Sequence, residues 1–345
     1  MRAALITAFG QPLEVIEVDD PEPSADGVVL RVLATGVCRS DWHAWIGHEN
    51  LPALPHVPGH EMAGVIETVG AEVTRWKPGA RVTVPFSVGC GMCASCAAGY
   101  LNTCDRPFTP GFTHWGSFAE LVAIDHADVN LVALPAEVSS VDAAALGCRF
   151  ITSFHAIVDQ GRLQEGDWLA VHGCGGVGLS AIMIGHALGG RVIAVDIAPE
   201  KRALAEELGA EVAIDASEVG NVGRAIHEAT GGAHVSIDAL GSAPTASNSI
   251  RSLRKHGRHV QVGLMYEDAS SIEIAMEPII MKELEIIGSR GLPATEYPRV
   301  FELISQTGMD LGRLVTKTVA LDQASAELEG MSSFAGVGVT VIDRF

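Results

Sequence analysis

Residues 171–180, "VHGCGGVGLS", carry a G-x-G-x-x-G pattern at Gly173, Gly175 and Gly178. Glycine-rich turns are common, but this one directly follows the strand-like run "WLAVHG" and opens the helix-like run "GLSAIMIGHALGG". Strand, turn and helix in that order are the setting a dinucleotide-binding turn requires. Gly173 permits the tight turn, Gly175 lets a pyrophosphate approach the backbone, and Gly178 lets helix and strand pack closely. Gly176 and Val177 complete the turn, whose N–H groups at the helix N-terminus face the phosphates. Cys174 fills a variable slot and is expected to pack as a small residue. Asp196 ends the next strand-like run, about 20 residues downstream, where a carboxylate accepts the adenosine ribose hydroxyls. The same charge repels a 2′-phosphate, so NAD is expected rather than NADP.

Outward from the turn, apolar runs alternate with helical segments: "WLAVHG", "RVIAVDI", "EVAID", "VSIDAL", "RHVQVG" and "LEIIGS". Pro199 opens one of those helices, "PEKRALAEELGA", and Gly209 closes it. The alternation predicts a doubly wound parallel sheet. Residues before about 150 have another texture, short β-like runs such as "GVVLRVLATGV" and "GARVTVPFSV" between turn residues. After about residue 293 that texture returns, from "LVTKTVALDQASAELEGM" to "GVGVTVIDRF". The expected architecture is therefore α/β: a mostly-β domain of residues 1–150 and 293–345, and a dinucleotide-binding domain of residues 151–292. A chain of 345 residues suits such a two-domain plan.

The 23 Lys and Arg against 42 Asp and Glu give a net charge of −19, a field that repels nucleic acid and anionic membranes. The opening "MRAALITAFGQPLEVIEVDD" lacks the apolar core of a signal peptide, and no run approaches the roughly 18 apolar residues of a spanning helix. Seven cysteines, an odd number, point to free thiols or metal ligands. A cytoplasmic protein with neither nucleic-acid nor membrane partners is expected.

Four of the thiols, Cys90, Cys93, Cys96 and Cys104, cluster in "VGCGMCASCAAGYLNTC", residues 88–104. A C-x-x-C redox pair fits poorly, because such motifs open a helix in a βαβ unit. The bacterial iron–sulfur run needs a shorter last gap and a following proline. Four thiolates closing on one tetrahedral zinc leave no place for a substrate, so this lobe, residues 88–106, reads as structural. Cys38 has Ser40, Asp41 and His43 close by in "GVCRSDWH", and His60 and Glu61 are adjacent in "PGHEMAGVIETVG". Together with Cys148, two thiolates and one imidazole suit a zinc site with an open fourth position, which is the catalytic arrangement. Spacing alone does not bring residues so distant in sequence together.

These stretches resemble the zinc-dependent medium-chain alcohol dehydrogenase family over essentially the whole chain. The family signature G-H-E-x-x-G-x5-G-x-x-V is met by Gly59, His60, Glu61, Gly64, Gly70 and Val73. C-x-S-D-x-H is met by Cys38, Ser40, Asp41 and His43, and "LGCRFIT" supplies Cys148 and Thr152. The resemblance implies a GroES-like catalytic domain beside a Rossmann domain, and a catalytic zinc on Cys38, His60 and Cys148. It implies a second, structural zinc on Cys90, Cys93, Cys96 and Cys104. Asp41 would then orient His60, and Glu61 would lie behind the metal and ligate it transiently. Zinc would polarise an alcohol or carbonyl oxygen while hydride passes between substrate and nicotinamide. The proton would travel by Ser40, the cofactor ribose and His43. Arg39 would meet the pyrophosphate and Thr152 the nicotinamide, with Phe86 in the substrate pocket. Trp42, His114 and Trp115 are further candidates for its lining.

The chain departs from the family near its C-terminus. Many relatives place a pyrophosphate-binding arginine where "AGVGVTV" (335–341) stands here, with Val337 or a neighbour in its place. Cofactor binding would then rest more on Arg39 and the helix N-terminus. Polyol dehydrogenases share most of the motifs but commonly use a glutamate where Cys148 stands, and often lack the four-cysteine lobe. A non-catalytic NAD sensor on the same fold would be expected to lose Ser40, His43 or a ligand. The resemblance thus implies an NAD-dependent alcohol dehydrogenase, a homotetramer of the bacterial type with two zinc ions per chain. Secondary, primary or aromatic alcohols and their carbonyls are its expected substrates.

Overall fold

The computed structural model describes residues 1–266, 271–334 and 336–345. The chain forms two compact units, one of Arg149–Arg290 and one of Met1–Cys148 with Gly291–Phe345.

In the unit Arg149–Arg290, six strands form one sheet, each pair of neighbours parallel. Across the sheet they run Ala210–Asp215, Arg191–Asp196, Trp168–His172, Ala233–Asp238, Leu253–Gln261 and Glu285–Gly288. Numbered along the chain, that order is 3-2-1-4-5-6, which reverses direction beside Trp168–His172. Every residue of Trp168–His172 is buried, as the continuous apolar run requires of a strand covered on both faces. The glycine turn leaves its C-terminal end and enters the helix Gly176–Ala187. The helix Pro199–Glu207 starts on its proline and stops before Gly209, whose φ of +117° only glycine adopts readily. All six apolar runs read from the sequence are strands, and the sheet is the expected doubly wound one.

The other unit is built around a seven-stranded mixed sheet. Its centre is Val28–Val37, which pairs antiparallel with Met62–Val69, Leu121–Ile124 and Val339–Arg344. The last of these pairs parallel with Val315–Ala320, so residues near the C-terminus complete a sheet begun near the N-terminus. Cys38 follows directly from the central strand and caps the helix Arg39–Trp45. The register sets Thr35 opposite Met62, and the Gly36 N–H donates to the Glu61 carbonyl at 2.8 Å. That pairing brings Cys38 and His60 to one end of the sheet.

One helical run, Ser140–Gln160, has the length and mean hydropathy (1.3) to cross a membrane, which the sequence reading passed over. Of its 18-residue apolar window, 72% is buried inside the protein. It is also broken: Gly147 has φ −1° and ψ −132°, outside helical values. Buried core helices pass the same length and hydropathy test, so the run gives no reason to invoke a bilayer.

Candidate active site and second metal centre

The break at Gly147 positions the third thiol. A Cβ at residue 147 would lie 2.4 Å from the Glu61 Cβ, so only glycine lets the chain pass here. The next residue, Cys148, donates its N–H to Glu61 Oε1 at 2.8 Å. As a result the ligand atoms of Cys38, His60, Glu61 and Cys148 all lie within 4.8 Å of one another. His60 and Glu61 are fully buried and Cys38 is nearly so.

Asp41 organises this cluster from below. It has no exposed surface, and it accepts three hydrogen bonds. Oδ2 takes the Cys38 N–H at 2.9 Å; Oδ1 takes the Gly59 N–H at 3.0 Å and the His60 Nδ1–H at 2.8 Å. Burial works against a charged His60, but the Asp41 carboxylate and the Cys38 sulfur outweigh it and raise its pKa well above the usual value. With Nδ1 held by Asp41, His60 Nε2 is buried without a hydrogen-bond partner among the described residues. Two sulfurs, a carboxylate and an otherwise orphaned imidazole nitrogen are a donor set that fits zinc. The bond from Nδ1 to a carboxylate fixes the tautomer that leaves Nε2 free to ligate.

The second centre gathers Cys90, Cys93, Cys96 and Cys104, with their sulfurs also within 4.8 Å of one another. Backbone N–H groups point at those sulfurs: Cys90 and Arg106 donate to Cys104 Sγ at 3.3 Å each, and Cys96 donates to Cys93 Sγ at 3.5 Å. N–H groups of Met92 and Cys93 draw the Cys90 thiol down to about 6, whereas burial pushes Cys96 up to about 12. Four sulfurs at this spacing suit tetrahedral zinc.

Around the first cluster, Ser40 Oγ lies 3.9 Å from Cys38 Sγ. His43 Nδ1 is 3.0 Å from Nδ1 of His48, and burial, with Arg39 and His48 nearby, draws the His43 imidazole down to about 4. Arg39 stacks its guanidinium 3.7 Å from the Trp42 ring centroid and 3.8 Å from that of Phe334, and donates to the Met331 carbonyl. Phe86 meets the His60 ring edge-on at 6.2 Å, and Phe112 is nearer, at 5.2 Å. His114 stacks on Phe108 at 3.9 Å, and Trp115 is largely at the surface.

In the other unit, Gly173 has φ +96°, and a Cβ on Gly178 would fall 1.8 Å from the Gly173 carbonyl oxygen. A Cβ on Gly175 would meet nothing within 4 Å, so this residue faces the open side of the turn. The turn is tied to Asp196, which accepts the Cys174 N–H at 2.7 Å and the Ala198 N–H at 2.9 Å. Two carboxylate oxygens offer about four lone-pair sites, so acceptor capacity remains for a ribose. This glycine cradle and carboxylate fit a dinucleotide. Thr152 is buried in the short helix Ile151–Phe154. Cys174 is buried, as expected of a packing residue.

Known proteins agree with this geometry. The model of the alcohol dehydrogenase GroES-like domain matches residues 24–136, and that of the zinc-binding dehydrogenase matches residues 176–306. An alcohol dehydrogenase of Geobacillus stearothermophilus is 36% identical over 293 residues, 84% of each chain. The chain belongs to the zinc-dependent medium-chain alcohol dehydrogenase family. An NAD-dependent alcohol dehydrogenase of Sulfurisphaera tokodaii is 32% identical over 99% of each chain. A solved alcohol dehydrogenase structure from Thermus sp. ATN1 matches with a TM-score of 0.91 at 29% identity, over 100% of both chains. Membership makes this chain a zinc-dependent oxidoreductase with a dinucleotide cofactor, on the expected pairing of a GroES-like and a Rossmann fold.

Within that family frame, the structure adds residues that the motifs did not mark. His48 pairs with His43, and Phe112 flanks His60. Arg149, next in the chain after Cys148, is buried and packs on the dinucleotide turn; a Cβ at Gly176 would lie 2.3 Å from its Cδ. Trp42 touches Arg39, His43 and His48 and donates to Ser332 Oγ at 2.9 Å. In the C-terminal stretch where an arginine was expected by resemblance, the Val337 carbonyl accepts from Thr316 Oγ1; Ala335 lies outside the described residues.

Proposed function

We propose that this member of the family reversibly interconverts an alcohol and its ketone or aldehyde with NAD as hydride acceptor and donor. The observation that carries this reading is the clustered set Cys38, His60 and Cys148, with His60 Nδ1 held by Asp41 and Nε2 left as a ligand. When bound, zinc polarises the substrate oxygen and the nicotinamide exchanges the hydride.

The chain's own residues do the rest. Cys38, His60 and Cys148 hold the catalytic metal, with Glu61 close enough to ligate it in turn. Ser40, beside Cys38, takes the alcohol proton, and His43 passes it on as a neutral imidazole. Arg39, Gly173, Gly175, Gly176, Val177 and Gly178 receive the pyrophosphate, Thr152 the nicotinamide and Asp196 the ribose. The Asp196 carboxylate favours NAD over NADP. Phe86 and Phe112 beside His60 favour apolar, secondary or aromatic substrates. Cys90, Cys93, Cys96 and Cys104 hold a structural zinc that takes no part in the chemistry. Among the described residues none of the seven cysteines is in a disulfide, which suits a reducing cytoplasm, and a homotetramer is the proposed assembly.

The test follows reduced nicotinamide by absorbance across primary, secondary, cyclic, aromatic and polyol substrates, in both directions. Turnover with simple or aromatic alcohols, at higher kcat/KM than with sorbitol-like polyols, is expected. A clear polyol preference moves the assignment to the polyol enzymes, and NAD binding without turnover of any substrate refutes the catalytic reading.

A further inference from the structure

His43 and His48 form a built pair. The helix Arg39–Trp45 ends at Ile46, and Gly47, with φ +86°, turns the chain back. There the His48 N–H donates to the His43 carbonyl at 2.9 Å. The two imidazoles stack with centroids 5.2 Å apart, and Trp42 meets both edge-on, at 5.0 Å from His43 and 5.9 Å from His48. Their Nδ1 atoms are 3.0 Å apart, a hydrogen bond that needs one proton between the two nitrogens. His43 is half-buried, whereas His48 is exposed.

We propose that His48 receives from His43, across the Nδ1–Nδ1 hydrogen bond, the proton released by the alcohol, and hands it to water. During oxidation the proton arrives at the second nitrogen of His43 while the Nδ1 proton moves to His48 Nδ1. His48 then loses a proton from its own Nε2 to solvent, so one proton enters the pair and one leaves. In reduction the same route runs inward. Burial and the neighbouring Arg39 disfavour a charge resting on His43, so an exposed acceptor in contact with it has a task. His48 acts through His43 as a positioning residue.

This inference rests on the function proposed above, and the experiment separates the two. His48→Gln and His43→Gln are compared with the parent enzyme in weak buffer near neutral pH, after thermal unfolding shows that both are folded. His48→Gln is expected to lower kcat for alcohol oxidation about tenfold, less than the roughly 10²-fold of a direct acid–base group, with KM for NAD unchanged. Free imidazole restores the rate, the solvent deuterium isotope effect rises, and adding His48→Gln to His43→Gln costs nothing more. Parent-like kcat and isotope effect in His48→Gln, or a loss that imidazole does not restore, overturns the proposal while leaving the alcohol dehydrogenase reading intact. Parent-like kcat in His43→Gln instead overturns the relay that both share. A readout independent of turnover is ¹⁵N-histidine NMR: His48→Gln must move the His43 Nδ1 resonance, and an unmoved resonance refutes the pair.

Discussion

Asp41→Asn is nearly isosteric, yet it attacks the cluster at the point where three hydrogen bonds meet. The parent carboxylate accepts from Cys38 N, Gly59 N and His60 Nδ1, all buried. An amide offers one acceptor oxygen in their place. If that oxygen takes the Oδ1 position, Gly59 and His60 keep their partner and the amide N–H groups oppose the Cys38 N–H. In the flipped orientation Cys38 is satisfied, Gly59 is orphaned, and His60 Nδ1 becomes an acceptor. The imidazole proton then sits on Nε2, which can no longer ligate. Either way at least one buried donor loses its partner, at about 1–3 kcal/mol. Carboxylates that orient metal-bound histidines are typically worth 10–100-fold in metal affinity, about 1.4–2.8 kcal/mol, the same range. Competition against a chelator with metal analysis is the assay, alongside thermal unfolding. Asp41→Asn should surrender the zinc of the Cys38 centre at ten- to hundredfold lower chelator strength and keep the zinc of the four-cysteine lobe. Parent-like retention of both metals, with unchanged unfolding, would show that Asp41 does not orient His60.

Three further outcomes follow from the same geometry. Cys96→Ala should lose about one zinc per chain and some stability, whereas Cys38→Ala should abolish turnover in a folded protein; metal analysis beside activity checks both, and loss of chemistry in a stable Cys96→Ala enzyme with both zincs would reverse the two roles. Gly178→Ala places a Cβ 1.8 Å from the Gly173 carbonyl oxygen, so calorimetry should show NAD binding sharply weakened with zinc content intact. His172 is fully buried, and burial, aided by His259, takes its pKa from 6.5 down to about 3. Between those values the unfolded chain binds a proton that the folded one refuses, so stability falls as pH drops through the window, by up to about 1.4 kcal/mol per unit. Urea unfolding against pH should show this slope, flattened in His172→Gln.

Much of this was legible because the motifs encode local backbone geometry. Gly173 and Gly178 reveal the dinucleotide turn by where a side chain would not fit, and the alternating apolar runs reveal a buried parallel sheet. The meeting of Cys38, His60 and Cys148 was not legible from spacing, because it depends on the register of Thr35 against Met62 and on the break at Gly147. Resemblance to the family supplied what spacing lacked. His48 was missed because its partner is reached only through the left-handed Gly47; the one sequence signal was a second histidine five residues on, after a glycine. Trp42 is a further candidate for the pocket lining, weighed against the rule that an aromatic more often packs in a core. In the structure Trp42 touches Arg39, His43 and His48, donates to Ser332 Oγ and packs against the core around Leu5 and Phe118.

The helix Arg39–Trp45 joins folding to metal binding. Its N-terminal N–H groups need acceptors, and the Cys38 N–H finds one in Asp41, three residues on. The same carboxylate holds the His60 imidazole, so the bond that starts the helix and the bond that aims the ligand share one side chain. Fraying the first turn would release Asp41 from Cys38, tilt His60 and loosen the metal, while metal on Cys38 and His60 would hold that turn closed. In the four-cysteine lobe the sulfurs take backbone N–H groups from their own loop. The first centre differs in that its supporting carboxylate is shared with the helix that carries Ser40 and His43.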